Sequence, residues 1–366
     1  MKKKNKREVK FMKIHEKPRT ICDNPNSVFS YFAWPTVARL PDGTLAMACS
    51  GFRMRHVCPF GKAVICYSRD EGETWTRSAP VIDTPLDDRD AGLCVSGNRV
   101  ILTSFNNNVA FQRRIIGDQQ SKSADLIRAY LDRVPADAEE RFLGSTYVVS
   151  SDGGMTFGEI HRSPVTSPHG PCALPDGRIL WVGRVHDPED KSGTPVLCCE
   201  LNENKEFVPI GAIPPCTDAY GDGFACEPHA VFLPDGRLLV AIRVQRSGEH
   251  PLFTVYLTES ADSGRTFSVP RPILPEEAGS PPHFLLHSSG ALLLTYACRK
   301  GNYGIRARIS RDFGRTFEEE MLLTEHAPSP DLGYPASVER KDGTVLTVYY
   351  ENNGETSTIR QLIWEP

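Results

Sequence analysis

The chain has 366 residues, of which 40% are hydrophobic and 24% are charged, and its formal net charge at pH 7 is −4. A chain of this length can bury a large core, and the absence of a basic surplus argues against nucleic acid as a partner. The Lys-rich start, residues 1–13, is followed by no apolar run. It therefore predicts a solvated tail rather than a signal peptide or a membrane anchor.

The sequence contains 11 cysteines, none of them in Cys-x-x-Cys spacing. Several stand inside apolar segments, namely Cys49, Cys94, Cys198 and Cys199. This distribution is typical of reduced packing residues rather than of disulfides or a zinc site. The cysteines therefore predict a cytoplasmic protein, and we expect neither a metal nor a cofactor.

Six segments along the chain share one pattern, in which a small or Pro-containing turn is followed by a run to an Asp-Gly-type turn and then by an apolar strand. The second turns lie at residues 42–43, 97–98, 176–177, 235–236, 289–290 and 342–343. Each segment predicts two strands around a type I′-like turn.

An eight-residue pattern, Ser-x-Asp-x-Gly-x-Thr-aromatic, occurs four times. The copies are SRDEGETW at 68–75, SSDGGMTF at 150–157, SADSGRTF at 260–267 and SRDFGRTF at 310–317. Asp and Gly supply a turn, the hydroxyls can bond the tight backbone, and the aromatic residue can pack the turn onto its own sheet. Four copies with the same spacing indicate a repeated hairpin.

The two repeats together predict an all-β fold, a six-bladed β-propeller of four-stranded blades. The third blade has only a degenerate hairpin at 203–207, and the last strand of the sixth is predicted at 358–364. Residues 9–15 are expected to add a strand to the sixth blade. The predicted domains are an N-terminal tail with a closing strand, residues 1–20, and one propeller, residues 21–366.

A helical insertion is predicted in the second blade, over residues 106–146. Within it, residues 123–134 place apolar side chains on one helical face before Pro135 stops the helix. This helix either packs against the propeller rim or covers the substrate as a lid. Residues 106–108 and 113–114 remain able to reach the pocket.

The first turns of the six segments all lie at one end of the central channel of such a propeller, so their side chains converge on one concave site. These side chains are Trp34, Arg89 with Asp90, His169, Glu227 with His229, His283, and Tyr334. Polar residues at five of the six equivalent places favour a ligand site over packing.

A second ring of polar residues is expected where the outgoing strands end. It contains Arg53, Arg55, Arg184, Arg243, Arg246, Arg299, Tyr350 and Glu351. Several arginines directed at one pocket suit a carboxylate, because guanidinium binds a carboxylate in a bidentate fork. Alternatively, the arginines pair with Asp and Glu between blades. The set favours an anionic or polyhydroxylated small molecule.

With these motifs the chain resembles the sialidase superfamily, the propellers with repeated Asp-boxes, over nearly its whole length except the tail and the insertion. In that family a tyrosine attacks the anomeric carbon and a neighbouring glutamate takes its proton. The resemblance implies Tyr334, in the segment GYPASV at 333–338, as the nucleophile. It implies Glu227, which follows Cys226 and precedes Arg243, as the base.

The resemblance also implies that Arg243 and Arg306 hold the carboxylate of an acidic sugar, with Arg299 as a substitute for Arg306, and that Asp90 lines the pocket. A tyrosine nucleophile with a glutamate base, here Tyr334 and Glu227, is also chemically reasonable without the resemblance. A phenol with a pKa near 10 is a poor nucleophile at neutral pH, but a buried carboxylate at hydrogen-bond distance can accept its proton. A tyrosine nucleophile is a known exception to the two-carboxylate rule of glycosidases.

Two positions depart from the family pattern. The family has an arginine in a Phe-Arg-Ile-Pro segment, whereas residues 32–35 here read FAWP, and Arg53 or Arg55 would have to compensate. The loop that carries the acid/base aspartate reads RMRHVCPFGK at 53–62 and has no carboxylate. His56 can act there as a general acid near neutral pH. Alternatively, Asp90 or Asp88 serves, or the leaving group needs no acid.

The resemblance implies a retaining, exo-acting glycoside hydrolase, with exo-alpha-sialidase as the leading specific activity and a related acidic or neutral sugar close behind. The alternatives are a non-catalytic carbohydrate-binding propeller and a glycosidase or lyase of the same fold that acts on a different sugar. The expected partner is a small glycan, with no nucleic acid and no membrane.

Overall fold

The computed structural model describes residues 10–11, 13–187, 194–216, 224–247, 251–275, 279 and 281–366. Within these ranges the chain is built almost entirely of β-strands, with three short helices. None of the helices in the described ranges is long and apolar enough to cross a membrane.

The strands follow one another in chain order. They are β1 Lys10–Phe11, β2 Ile14–Cys22, β3 Tyr31–Arg39, β4 Leu45–Arg53, β5 Lys62–Ser68, β6 Ala79–Ile82, β7 Asp87–Ser96, β8 Arg99–Asn107, β9 Ser145–Ser150, β10 His161–Ser163, β11 Val165–Thr166, β12 Cys172–Ala173, β13 Ile179–Val185, β14 Val196–Leu201, β15 Phe207–Ala212, β16 Phe224–Phe232, β17 Leu238–Arg246, β18 Leu252–Ser260, β19 Arg271–Pro272, β20 His283–Leu286, β21 Leu292–Cys298, β22 Gly304–Ser310, β23 Met321–Leu322, β24 Leu332–Glu339, β25 Val345–Asn352 and β26 Ser357–Trp364. The helices are α1 Val109–Ile116, α2 Lys122–Leu131 and α3 Ala138–Phe142.

The prediction of an all-β propeller agrees with this architecture, but the prediction of six separate four-stranded blades is wrong. Among the described residues the strands form five hydrogen-bonded sheets, and only β7–β10 and β16–β19 are four-stranded. One sheet has eight strands, because β26 pairs in parallel with β3 through Ser357 and Tyr31. The Ser357 hydroxyl also donates to the carbonyl of Phe32 at 2.8 Å. These bonds join strands that the prediction assigns to the first and last blades.

Each predicted two-stranded segment is present as an antiparallel pair. The pairs are β3 with β4, β7 with β8, β12 with β13, β16 with β17, β20 with β21, and β24 with β25. The first strand of each pair contacts the first strand of the next, and β24 contacts β3, so these strands surround a central channel. Apolar clusters between neighbouring sheets form the core, as where Leu180 and Val182 meet Val240 and Ile242.

The four repeats are hairpin turns with one geometry. In each, the Ser hydroxyl accepts from the Gly amide at 2.8 Å. The Asp carboxylate accepts from both the amide and the hydroxyl of the Thr, and these bonds hold the pKa of Asp70 and of Asp312 down at about 2. The Gly and the residue before it have positive φ, as at Phe313 (56°) and Gly314 (83°), which is the type I′ signature.

We expect Ser310→Ala to lower the free energy of unfolding by about 1–3 kcal/mol, because it leaves the buried amide of Gly314 without its acceptor. Urea denaturation measures the change. Ser151→Ala, at an exposed serine beside another of the four turns, is the matched control and should be neutral. Equal stability of the two variants would show that the hydroxyl does not support the turn.

The insertion is a minor element of three short helices rather than one. The helix predicted at 123–134 is α2, Lys122–Leu131, and α1 and α3 flank it. Ile127 and Leu131 of α2 pack with Ile116 of α1 and with Cys58 of the loop after β4. The insertion is therefore attached to the propeller at that loop.

The N-terminal segment contributes two strands. Strand β2, Ile14–Cys22, pairs antiparallel with β26, and β1, Lys10–Phe11, pairs in parallel with β23. The strand added to the last hairpin therefore coincides with the predicted residues 9–15 only at Ile14 and His15, and β1, which lies within that range, pairs with β23 instead. Residues 9 and 12 lie outside the described residues.

Candidate active site

Four residues that the sequence places at equivalent first turns share an unusual backbone conformation. Trp34 (φ 57°), Asp90 (44°), Glu227 (49°) and Tyr334 (51°) are all left-handed. Each lies at a β-bulge, where the register of its strand shifts against the partner strand of the same hairpin. A bulge of this kind redirects a side chain, and a left-handed bulky residue costs about 1–3 kcal/mol. Four such residues around one channel indicate a functional site.

These four side chains line one cleft of about 320 Å³ at the end of the channel. The predicted site residues that line it are Trp34, His56, Arg89, Asp90, Glu227, Arg243, Arg299 and Tyr334. The cleft volume lies near the lower end of the range for small-molecule sites. The structure therefore brings together the predicted nucleophile, its base and the three predicted arginines Arg89, Arg243 and Arg299.

Tyr334 and Glu227 are in direct contact. The Tyr334 hydroxyl donates to Glu227 Oε1 at 2.5 Å, and Arg243 Nη1 donates to Glu227 Oε2 at 2.5 Å. The second Nη of Arg243 donates to Gln245 Oε1 at 2.5 Å. Strand β17 positions both Arg243 and Gln245 because alternate residues of a strand share a face. Glu227 thus accepts from the phenol on one oxygen and from a guanidinium on the other.

The charges around this pair separate its two pKa values. Burial by itself would raise the pKa of Glu227, but Arg243, the Tyr334 hydroxyl and Arg299 outweigh burial and hold it below its ordinary value. The pKa of Tyr334 is raised well above its ordinary value by burial and by the neighbouring carboxylates of Glu227 and Asp90. At neutral pH the pair is therefore a neutral phenol bonded to an ionised carboxylate, which is ready to accept a proton.

Asp90 supplies a second carboxyl group of opposite character. It is 6% exposed, and burial raises its pKa to about 7, with Arg89 lowering it and Glu227 raising it. Among the described residues its side chain makes no hydrogen bond that would favour the ionised form. A cleft with one ionised carboxylate and one carboxyl group that keeps part of its proton at neutral pH has the acid and the base that glycoside hydrolysis requires.

His56 lies in the cleft, but its ring nitrogens are engaged. Tyr31 donates its hydroxyl to Asp331 Oδ2 at 2.9 Å, so its oxygen accepts from His56 Nδ1 at 3.0 Å. Nε2 then carries the lone pair and accepts from Arg89 Nη2 at 3.2 Å. Desolvation lowers the pKa of His56, against the opposing effect of Asp331. Its role as general acid stays a prediction, and these contacts favour Asp90 in its place.

Trp34 belongs to the segment FAWP at 32–35, which has no arginine where the resemblance implies one. The guanidinium of Arg89 lies 4.1 Å from the centre of its ring and that of Arg53 4.9 Å. Arg53 itself is fully buried in a salt bridge with Asp87 and bonds the carbonyls of His56 and Asp88. Arg53 therefore braces the loop under the cleft, and the expectation that it binds substrate is corrected by its position.

Two further predicted arginines lie outside the cleft lining. Arg306 donates to the carbonyls of Thr324 and Asn302, both at 2.6 Å. It belongs to β22, the third strand outward from the channel in its sheet, whereas Arg299 follows the second strand and reaches the cleft. Arg55 extends away from the channel to Gln119, at 2.7 Å.

The three predicted histidines also lie outside the cleft lining. His169 and His283 are buried and His229 is half-buried, and the three rings pack on one another with ring centres 4.2–5.5 Å apart. His169 is also 6.5 Å from the ring of Tyr334. Burial lowers the pKa of all three, so the rings are neutral. They form a packed layer in the channel, and their predicted contact with substrate is corrected accordingly.

Several lining residues were not among the predicted site residues. These are Gln245, Phe105, Phe111 and His186, whereas Asn107 and Arg184, which also line the cleft, were expected to reach it. Strand alternation from Arg243 could have identified Gln245, but no local signal marks Phe111, which comes from the insertion. Among the described residues no group of three or more His, Cys, Asp or Glu side chains is arranged to hold a metal ion.

The chain matches one family and several solved structures. The model of a family described as BNR repeat-like domain matches residues 104–347. No curated protein matches the chain. A protein of unknown function from Dyadobacter fermentans has a similar structure, with a TM-score of 0.76 at 21% identity over 98% of this chain and 100% of that one.

Two similar structures have described activities. The intramolecular trans-sialidase from Ruminococcus gnavus, in complex with oseltamivir carboxylate, has a TM-score of 0.66 at 13% identity, covering 95% of this chain and 97% of that one. The alpha-L-arabinanase from Penicillium chrysogenum, complexed with arabinobiose, has a TM-score of 0.62 at 15% identity, covering 95% and 98%. The resemblance to the sialidase superfamily is confirmed by the family match and the shared fold.

Proposed function

This chain belongs to the BNR repeat-like domain family, and we propose that it is a glycoside hydrolase that removes a terminal sugar with retention of configuration. The observation that carries the proposal is the 2.5 Å hydrogen bond from the Tyr334 hydroxyl to Glu227, in a cleft that Asp90 also lines. The similar trans-sialidase and arabinanase structures support a glycosidase-like activity.

The proposed reaction has two steps. The Tyr334 oxygen attacks the anomeric carbon while Glu227 takes the phenolic proton, and the bond to the leaving-group oxygen breaks as that oxygen receives the Asp90 proton. Water then attacks the anomeric carbon of the glycosyl-tyrosine and loses a proton to Asp90. The departing phenolate recovers its proton from Glu227. Two inversions give net retention.

The preferred substrate of this proposal is an acidic sugar, with exo-alpha-sialidase as the leading specific activity. Arg243 and Arg299 line the cleft, and both guanidinium groups lie over the ring of Phe253, at 4.7 and 5.9 Å. Arg299 donates through Nε to the carbonyl of Leu332 and through one Nη to Tyr350, which leaves its other Nη for a ligand. Because residues 32–35 supply no third arginine, two guanidinium groups would hold the carboxylate.

The function is tested by incubating the protein with 4-methylumbelliferyl glycosides of sialic acid, uronic acids and neutral sugars, including arabinofuranose. We expect release of the fluorescent aglycone from at least one, with the first-formed sugar retained in configuration by NMR. Sugar binding without release would support the non-catalytic alternative, and an inverted product would exclude the tyrosine mechanism.

We expect Arg243→Lys to raise the KM for an acidic glycoside about 10- to 100-fold and to change that for a neutral glycoside less, because lysine cannot donate in a bidentate fork. Arg306→Lys is the matched control, since Arg306 is buried outside the cleft, and should leave both KM values unchanged. Equal effects of Arg243→Lys on both substrates would show that Arg243 serves only to hold Glu227.

A cytoplasmic location belongs to the proposal as well. All 11 cysteines are free thiols, and nine of them are buried. Free thiols in this number are typical of a reducing compartment.

A further inference from the structure

The cleft has an aromatic side that the proposed reaction does not use. The reacting groups Tyr334, Glu227 and Asp90 are among its lining residues. Phe105 and Phe111 line the same cleft together with Val57 and Pro168. Phenylalanine rings offer apolar faces and no hydrogen-bonding group, so this side suits an apolar surface rather than a hydroxyl or a charge.

The insertion places Phe111 in the cleft on a braced helix. Asn108 caps α1 by accepting from the Phe111 amide at 2.5 Å, and the buried Gln112 donates to the Asn107 carbonyl at 3.0 Å. At the other end of α1, Ile116 is buried against α2. Phe111 itself is only partly buried and belongs to no core cluster. The guanidinium of Arg114, on the same helix, lies 5.2 Å from its ring, and the ring lines the cleft.

The position of Phe105 identifies which part of a substrate meets this side. Phe105 of β8 is directly opposite Arg89 of β7 in the antiparallel register, and Asp90 is the next residue along β7. The guanidinium of Arg89 lies 5.8 Å from the Phe105 ring. The proton donor and the aromatic side therefore belong to one sheet, and the leaving group must lie beside the residue that protonates its oxygen.

We propose that Phe111 and Phe105 form an aglycone subsite that takes an aromatic group or the apolar face of a sugar ring. The inference rests on the proposed function for its assignment to the leaving group. On this basis the insertion is part of the binding site, in addition to packing on the propeller, and selects among substrates that share one terminal sugar.

The subsite is tested by ligand-observed NMR titration of free 4-methylumbelliferone, a probe that needs no turnover. We expect Phe111→Ala to weaken its binding about tenfold, because the loss of one aromatic contact has this effect. Ile115→Ala, at an exposed position on the same helix, should bind as the unaltered protein does. Equal binding to both variants, or no binding to the unaltered protein, would overturn the subsite.

A kinetic comparison then separates this inference from the proposed function. For any glycoside that is hydrolysed, Phe111→Ala should lower kcat/KM for the 4-methylumbelliferyl glycoside about tenfold while leaving that for the methyl glycoside unchanged. Equal losses on both would assign Phe111 to the terminal sugar instead. If the probe binds through Phe111 but no glycoside is hydrolysed, the proposed function fails while the aromatic site remains.

Discussion

Tyr334→Phe should lower kcat/KM by at least about 10³-fold, because it removes the oxygen that forms the covalent bond and leaves only binding and charge stabilisation. Glu227→Gln should cause a loss of similar size, since the amide cannot take the phenolic proton that the carboxylate now accepts at 2.5 Å. Initial rates on an activated aryl glycoside measure both losses. The effects should not add in the double variant, because the two residues act as one unit.

Two controls distinguish chemistry from folding. Tyr296→Phe removes another buried tyrosine hydroxyl that donates to a glutamate, Glu320 at 2.5 Å, away from the cleft lining, and should keep most of the activity. Thermal unfolding of Tyr334→Phe should resemble that of the unaltered protein, because the ring and its packing are kept. A fully active Tyr334→Phe would exclude the tyrosine as nucleophile.

Asp90→Asn should lower kcat/KM about 10²- to 10⁴-fold on glycosides with poor leaving groups and leave it nearly unchanged on those with good ones. Only a poor leaving group needs its oxygen protonated as the bond breaks. In the unaltered protein, kcat/KM for poor leaving groups should fall as pH rises through about 7, where Asp90 loses its proton. That alkaline decline should be absent in Asp90→Asn and for good leaving groups.

His56→Ala decides between the two candidate acids. If Asp90 donates the proton, this variant keeps the alkaline decline and loses activity equally on good and poor leaving groups, through the displaced Arg89. Loss of the decline in His56→Ala, with its persistence in Asp90→Asn, would assign the acid to His56.

Much of the site was predictable because its central residues occupy equivalent positions in a repeated two-stranded segment. The segments that lead to turns at 42–43, 97–98, 235–236 and 342–343 identified Trp34, Asp90, Glu227 and Tyr334 as equivalent. All four are left-handed residues at bulges around one cleft. The errors concern side chains whose direction depends on distant strands. Arg306 was placed in the cleft, for example, although it lies on the third strand of its sheet.

What the amino-acid sequence by itself determined is the set of hairpins and the family resemblance, because turn chemistry acts within a few residues and is repeated along the chain. The Ser-Asp-Gly-Thr bonds of the four turns are all of this kind. The tertiary structure alone decided the joining of β26 to β3, the packing of three histidines in the channel and the arrival of Phe111 in the cleft. These contacts join residues distant in the chain, and their energies depend on burial and charge that exist only after the sheets have assembled.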